Sequence, residues 1–102
     1  DVVIIHITGE FRIEMIAKME EVWNLQVRKK PRVIAFDCRE MEYIDSSSIG
    51  TLVKFVNTAT NKKIEFVIYG LNREVSKIFE TARLTRFFGL LTVQEFESKY
   101  LR

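Results

Sequence analysis

Short runs of β-branched and aromatic residues alternate along the chain with stretches whose apolar residues recur every three or four positions. Val2 to Ile7 (VVIIHI) predicts a buried strand, ended by Thr8-Gly9-Glu10. From Arg12 to about Arg28 the period lengthens: Ile16, Met19 and Trp23 recur at helical spacing, and Ile13, Val22 and Val27 widen the stripe. Pro31 forbids that helix to continue, and Arg32 to Phe36 (RVIAF) predicts a second strand. Asp37 to Asp45 reads as a connecting segment with Met41, Tyr43 and Ile44 available to pack. Ile49, Leu52, Val53 and Val56 then mark one face of a helix closed by Asn61-Lys62-Lys63. Ile64 to Tyr69 predicts a third strand ended by Gly70, and Val75, Ile78, Phe79 and Ala82 a further helix. Leu90 to Val93 forms a last short strand, and Phe96, Tyr100 and Leu101 a final helical turn or two. This alternation argues for one α/β domain over residues 1–102 with a substantially parallel sheet. The chain enters its first strand at once, at Asp1 and without an initiator methionine, so we expect residues upstream, including an edge strand, to be missing.

Composition narrows the partners. The net charge of +2 is too small to imply nucleic acid or a membrane surface by bulk electrostatics. Arg28-Lys29-Lys30-Pro31-Arg32 is the nearest thing to a basic patch. It lacks interleaved aromatics and falls where a helix ends, where cations interact favourably with the helix dipole. We read it as a solvated helix end. No apolar run approaches the about 18 residues of a membrane span. Cys38 is the only cysteine, which leaves no disulfide framework and no zinc pattern, and points to a reducing, cytoplasmic setting.

Little here suggests catalysis. His6 is the only histidine and lies inside the first apolar strand. A Ser-His-acid triad would have to use it, and no Gly-x-Ser-x-Gly elbow exists. His6 and Cys38 do not make a metal cluster. Asp37, Glu40, Glu42 and Asp45 are close in sequence, but charged loop residues are more often simply solvated. The four glycines are too far apart for a phosphate loop. We expect no enzyme, cofactor or metal.

The informative stretch is Met41 to Val56, MEYIDSSSIGTLVKFV. A helix starting near Ser46 leaves its first backbone N–H groups without partners, and Asp45 or Ser46 can cap them. The same place suits a phosphate: the helix N-terminus carries roughly half a positive charge, and a phosphoserine adds about −1.5 to −2.

Ile44-Asp45-Ser46-Ser47-Ser48-Ile49-Gly50, following RVIAFDCREMEYI, resembles the Asp-Ser-Ser-Gly-Leu-Gly signature of STAS domains, in particular of bacterial anti-sigma-factor antagonists. Thr8-Gly9-Glu10-Phe11 is similar to the family's Gly-Glu-Leu-Asp turn. FVIYGL from Phe66, then Val75, Ile78-Phe79, Leu84 and Phe87-Phe88, resembles its closing half. The resemblance implies a mixed sheet with amphipathic helices mainly on one face. It implies a partner: an anti-sigma factor that is also a serine kinase, using ATP and Mg²⁺ of its own. The unphosphorylated antagonist binds this kinase and frees the sigma factor, and phosphorylation of the serine after the motif aspartate reverses binding. Here that serine is Ser46, with Ser47 and Ser48 as less favoured acceptors. Asp45 would hold the loop, and Ile49 with Gly50 would let the helix start approach the partner. Gly9, Glu10, Phe11 and Arg12 would complete the docking face.

Two departures bear on the partner. Ser48 replaces the family's glycine, and Arg12 stands where an aspartate is frequent, inverting the local charge. Other readings are a STAS scaffold subunit of a stress-signalling assembly, the soluble tail of an anion transporter, a small-ligand or nucleotide-binding domain, and a hydrolase using Ser46 with Asp45. The sequence leaves the oligomeric state open.

Overall fold

The computed structural model describes residues 1–101. The element order is β1 (Val2–Phe11), a 3-10 turn (Ile13–Met15), α1 (Ile16–Arg28), β2 (Val33–Ile44), α2 (Ser46–Asn61), β3 (Glu65–Tyr69), α3 (Arg73–Thr81), β4 (Gly89–Leu91) and α4 (Val93–Tyr100). The strands pair in the order β1-β2-β3-β4, every pair parallel. Consecutive parallel strands need crossover connections, and right-handed crossovers running in one direction place all their helices on one face. So α1, α2 and α3 cover one face, while α4, which follows the last strand, covers the other. The expected one-sided helical layer is therefore present. The antiparallel strand of a mixed sheet is not found among the described residues, because each described strand is joined to the next through a helix rather than a hairpin.

Strand side chains sort by the two-residue period. Ile5, Ile7, Ile34, Phe36, Cys38 and Ile68 face the three-helix layer, whereas Val33, Ala35, Val67 and Tyr69 face α4. Aromatic rings fill the larger layer. Trp23 of α1 stacks on Phe55 of α2 at 4.4 Å between centroids and meets Phe36 of β2 edge-on at 6.0 Å. On the other face Tyr69 stacks on Phe96 of α4 at 3.9 Å.

Three local expectations change. β1 does not end at Thr8: it continues to Phe11 through register shifts on either side of Gly9, whose φ of +72° a glycine adopts without strain. Asp37 to Ile44 is not a connection but the second half of β2. Beyond Asp37↔Tyr69, where the pairing with β3 ends, β1 and β2 run on as a two-stranded ribbon to Phe11↔Ile44. Phe11, Met41 and Ile44 pin that ribbon into the core, each about 1% exposed. On α2 the buried stripe is Ile49, Leu52, Phe55 and Ala59, with Val53 and Val56 only at its margin.

Trp23→Ala is expected to cost about 3–5 kcal/mol, because it empties the contact between two helices and the sheet. The urea midpoint, followed by circular dichroism since the substitution removes the only tryptophan, should fall without a change in slope.

Candidate functional site

The ribbon delivers Asp45 to the start of α2. With extended backbone (φ −94°, ψ 171°), Asp45 is the N-cap. Its Oδ1 accepts from the Ser48 N–H at 2.8 Å, and its Oδ2 accepts from the Ile13 N–H at 2.9 Å. Its own N–H donates to the Phe11 carbonyl at 3.2 Å. One residue thus joins the end of β1, the turn after it and the first turn of α2. The Ser48 N–H, opposed by partial burial and helped by the Ile13 N–H and the Arg12 charge, holds the Asp45 carboxyl below the usual range.

The three serines have different surroundings. Ser46 and Ser47 are exposed. Ser48 is fully enclosed, and its Oγ is the one buried side-chain polar atom among the described residues without a hydrogen-bond partner. Phosphorylation at Ser48 would require the turn to open. Ile49 packs inward at 8% exposure. Gly50 faces outward, and a methyl group added there would meet nothing within 4 Å. Intrachain packing does not ask for glycine at this helical position, where alanine is favoured by about 1 kcal/mol.

Around this turn the structure assembles a surface that the sequence only partly disclosed. Glu10 and Arg12 pair at 2.9 Å, so the inverted charge at Arg12 is locally balanced. The Arg12 guanidinium lies over the Tyr43 ring at 4.5 Å. Ile13, Met15 and Tyr43 leave large apolar side chains exposed beside them. A groove of about 620 Å³ runs from Ser46 and Ile49 to Lys77, Ile78 and Thr81 of α3. Ile13 reads as a helix-stripe residue in the sequence, and no local signal connects Lys77 to Ser46.

Of the residues weighed for catalysis, Asp45 and Ser46 form this turn, and His6 is not brought to it. His6 lies on the α4 face, where its Nδ1 contacts Asp37 Oδ2 at 2.9 Å. Arg39 donates to the same carboxylate from Nε at 3.1 Å and from a terminal nitrogen at 2.8 Å. Burial pushes the Cys38 thiol up to about 12, with the Asp37 charge adding to the effect. Glu40 and Glu42 are exposed. No group of three or more His, Cys, Asp or Glu among the described residues is placed to hold a metal.

A sequence model of the STAS domain family matches residues 1–98. An anti-sigma-B factor antagonist of Listeria monocytogenes is 24% identical over 90 residues, covering 88% of this chain and 79% of the relative. A putative anti-sigma factor antagonist from Thermotoga maritima superposes with a TM-score of 0.86 at 23% identity, over 99% of this chain and 88% of its own. The STAS domain of a SulP transporter from Vibrio cholerae superposes with a TM-score of 0.81 at 18% identity, over 98% of this chain and 80% of its own.

The His6–Asp37–Arg39 cluster carries a pH dependence. Burial works to raise the Asp37 carboxyl, but the Arg39 hydrogen bonds and charge, with His6, outweigh it and hold the group at about 2. An unfolded aspartate titrates near about 3.9, so the stabilisation is complete above that pH and is lost as pH falls through about 2. After screening at the half-exposed Arg39 it should be about 1–2 kcal/mol. Urea midpoints of the wild type and Asp37→Asn should therefore converge between about pH 4 and pH 2.

Proposed function

Starting from a chain that belongs to the STAS domain family, we propose that it is an anti-sigma-factor antagonist whose docking face is switched by phosphorylation at Ser46. The observation that carries this reading is the exposed Ser46 hydroxyl on the first turn of α2, directly after a cap that locks the turn to the end of β1. The name of the Listeria relative supports the same reading. Such a cycle places the protein in the cytoplasm.

In the unmodified state Ser46, Ser47 and Gly50, with Gly9, Glu10 and Arg12 at the end of β1, dock on a serine-kinase anti-sigma factor, while Phe11, first grouped with them, is buried in the core and takes no part. Exposed Ile13 and Met15 add apolar area to that face. The outward-facing Gly50 supports close approach by the partner, because nothing within the domain requires a missing side chain there. The partner supplies ATP and Mg²⁺. Ser46 Oγ attacks the γ-phosphorus, the bond to ADP breaks, and the hydroxyl proton passes to a base of the kinase.

The free domain tolerates the product well, since it lies in solvent at a helix N-terminus. In the interface, about two negative charges would be trapped next to the Asp45 carboxylate, at a cost of several kcal/mol. Each 1.4 kcal/mol is tenfold, so affinity should fall roughly a hundredfold or more. The likeness to the SulP domain favours a second reading, the STAS domain of a transporter, and the binding experiment separates the two.

Incubation with an anti-sigma serine kinase and ATP-Mg²⁺ should place one phosphate on Ser46, located by mass spectrometry. Ser46→Ala should abolish labelling and keep binding. Ser46→Asp should weaken binding with an unchanged thermal midpoint, and wild-type affinity in that variant would refute the switch. Gly50→Leu should also weaken binding, by at least about tenfold in calorimetry, while leaving the domain folded.

A further inference from the structure

The end of the molecule opposite Ser46 carries a second site. Crossover helices run antiparallel to the strands, so α1 and α2 both end where β2 and β3 begin. This brings Arg28, Lys30 and Arg32 into one groove with Lys62 and Lys63, thirty or more positions away in sequence. The groove measures about 810 Å³. Buried Val27, Pro31 and Ile64 form its floor, and the five cations are exposed around it. Among the described residues none of the five forms a salt bridge.

Neutralising helix ends does not account for this much charge. Two helix C-termini contribute roughly one negative charge between them, and Asp1 is the lone carboxylate in the lining. The groove keeps an excess of about three positive charges. Lys30 and Lys63 stand in the left-handed region, at φ 51° and 59°, one residue past the caps of α1 and α2. Glycine is the usual occupant of that position because a side chain is strained there. Arg83 stands the same way past α3, so a basic residue is common to these helix ends, and it is the crossover topology that places Lys30 and Lys63 in one groove.

We propose that this groove binds a small molecule carrying several linked phosphates. Its volume matches small-ligand sites, and five convergent cations match a compact polyanion. An extended single strand of nucleic acid is less well served, since no aromatic side chain lines the groove to stack a base. A bilayer is less well served too, because the apolar atoms of the groove are on its buried floor. The groove lies at the N-terminal ends of the strands, whereas Ser46 and the Gly9–Arg12 turn lie at the C-terminal ends, so the site does not depend on the reading of Ser46.

Lys30→Gly/Lys63→Gly separates binding from folding, because glycine relieves both left-handed residues while removing two charges. The probe is inorganic tripolyphosphate, titrated calorimetrically into the full chain. One molecule should bind per chain, and binding should weaken roughly tenfold or more as salt rises from about 0.01 M to about 1 M. The double variant should lose about tenfold or more in affinity while its thermal midpoint holds or rises. The proposal is overturned if the wild type does not bind tripolyphosphate at millimolar concentration or takes up several molecules without saturation. Equal affinity in the double variant overturns it as well. So does tight binding of single-stranded RNA or of vesicles rich in anionic lipid with which tripolyphosphate cannot compete.

Discussion

The Asp45 carboxylate accepts hydrogen bonds from two backbone N–H groups that belong to elements thirty-two positions apart at one end and three at the other. Either bond alone would be an ordinary cap or an ordinary loop tether. Held by one side chain, they make the end of β1, the turn after it and the start of α2 a single rigid piece. The two-stranded ribbon beyond β3 makes this possible, because only its extra length carries Asp45 far enough to reach Ile13. Ser46 inherits its position from that arrangement. Its hydroxyl is presented by a turn whose carboxylate neighbour is already ionised and already engaged.

The rest of the molecule follows from the order of its strands. Sequential parallel pairing gathers α1, α2 and α3 on one face and aligns them, so their N-termini cluster at one end of the sheet and their C-termini at the other. The electrostatic halves of the domain are thus set by topology before any particular charge is chosen. The end that carries Asp45 and Ser46 receives helix N-termini. The opposite end receives helix C-termini and the basic residues that follow them. The proposed docking surface and the proposed anion groove can coexist because the sheet keeps them apart.

Much of this was legible in the chain itself. The cap was visible because Asp45 stands directly before an apolar stripe of helical period, and the strand cores were visible as unbroken β-branched runs. The second half of β2 was not. Arg39, Glu40 and Glu42 break the apolar run, and only pairing with the equally irregular Gly9–Phe11 segment makes it a strand. The inner stripe of α2 was read one position off, since Val53 and Val56 have the right spacing but the Trp23 stack selects Phe55. Lys77 beside Ser46, and Lys62 with Lys63 beside Arg28, could not be read at all. Those neighbours are made by crossovers, and no local pattern records them.

Cys38 has a bearing on how such a domain can report. Its thiol faces the three-helix layer, fully enclosed and kept protonated by its surroundings. Oxidants act on thiolates, and this sulfur offers them neither charge nor access. Peroxide or disulfide stress should therefore leave this thiol unmarked in the folded molecule. Among the described residues, the sulfur such oxidants can reach is the exposed thioether of Met15 at the surface, while the core keeps its thiol out of the exchange.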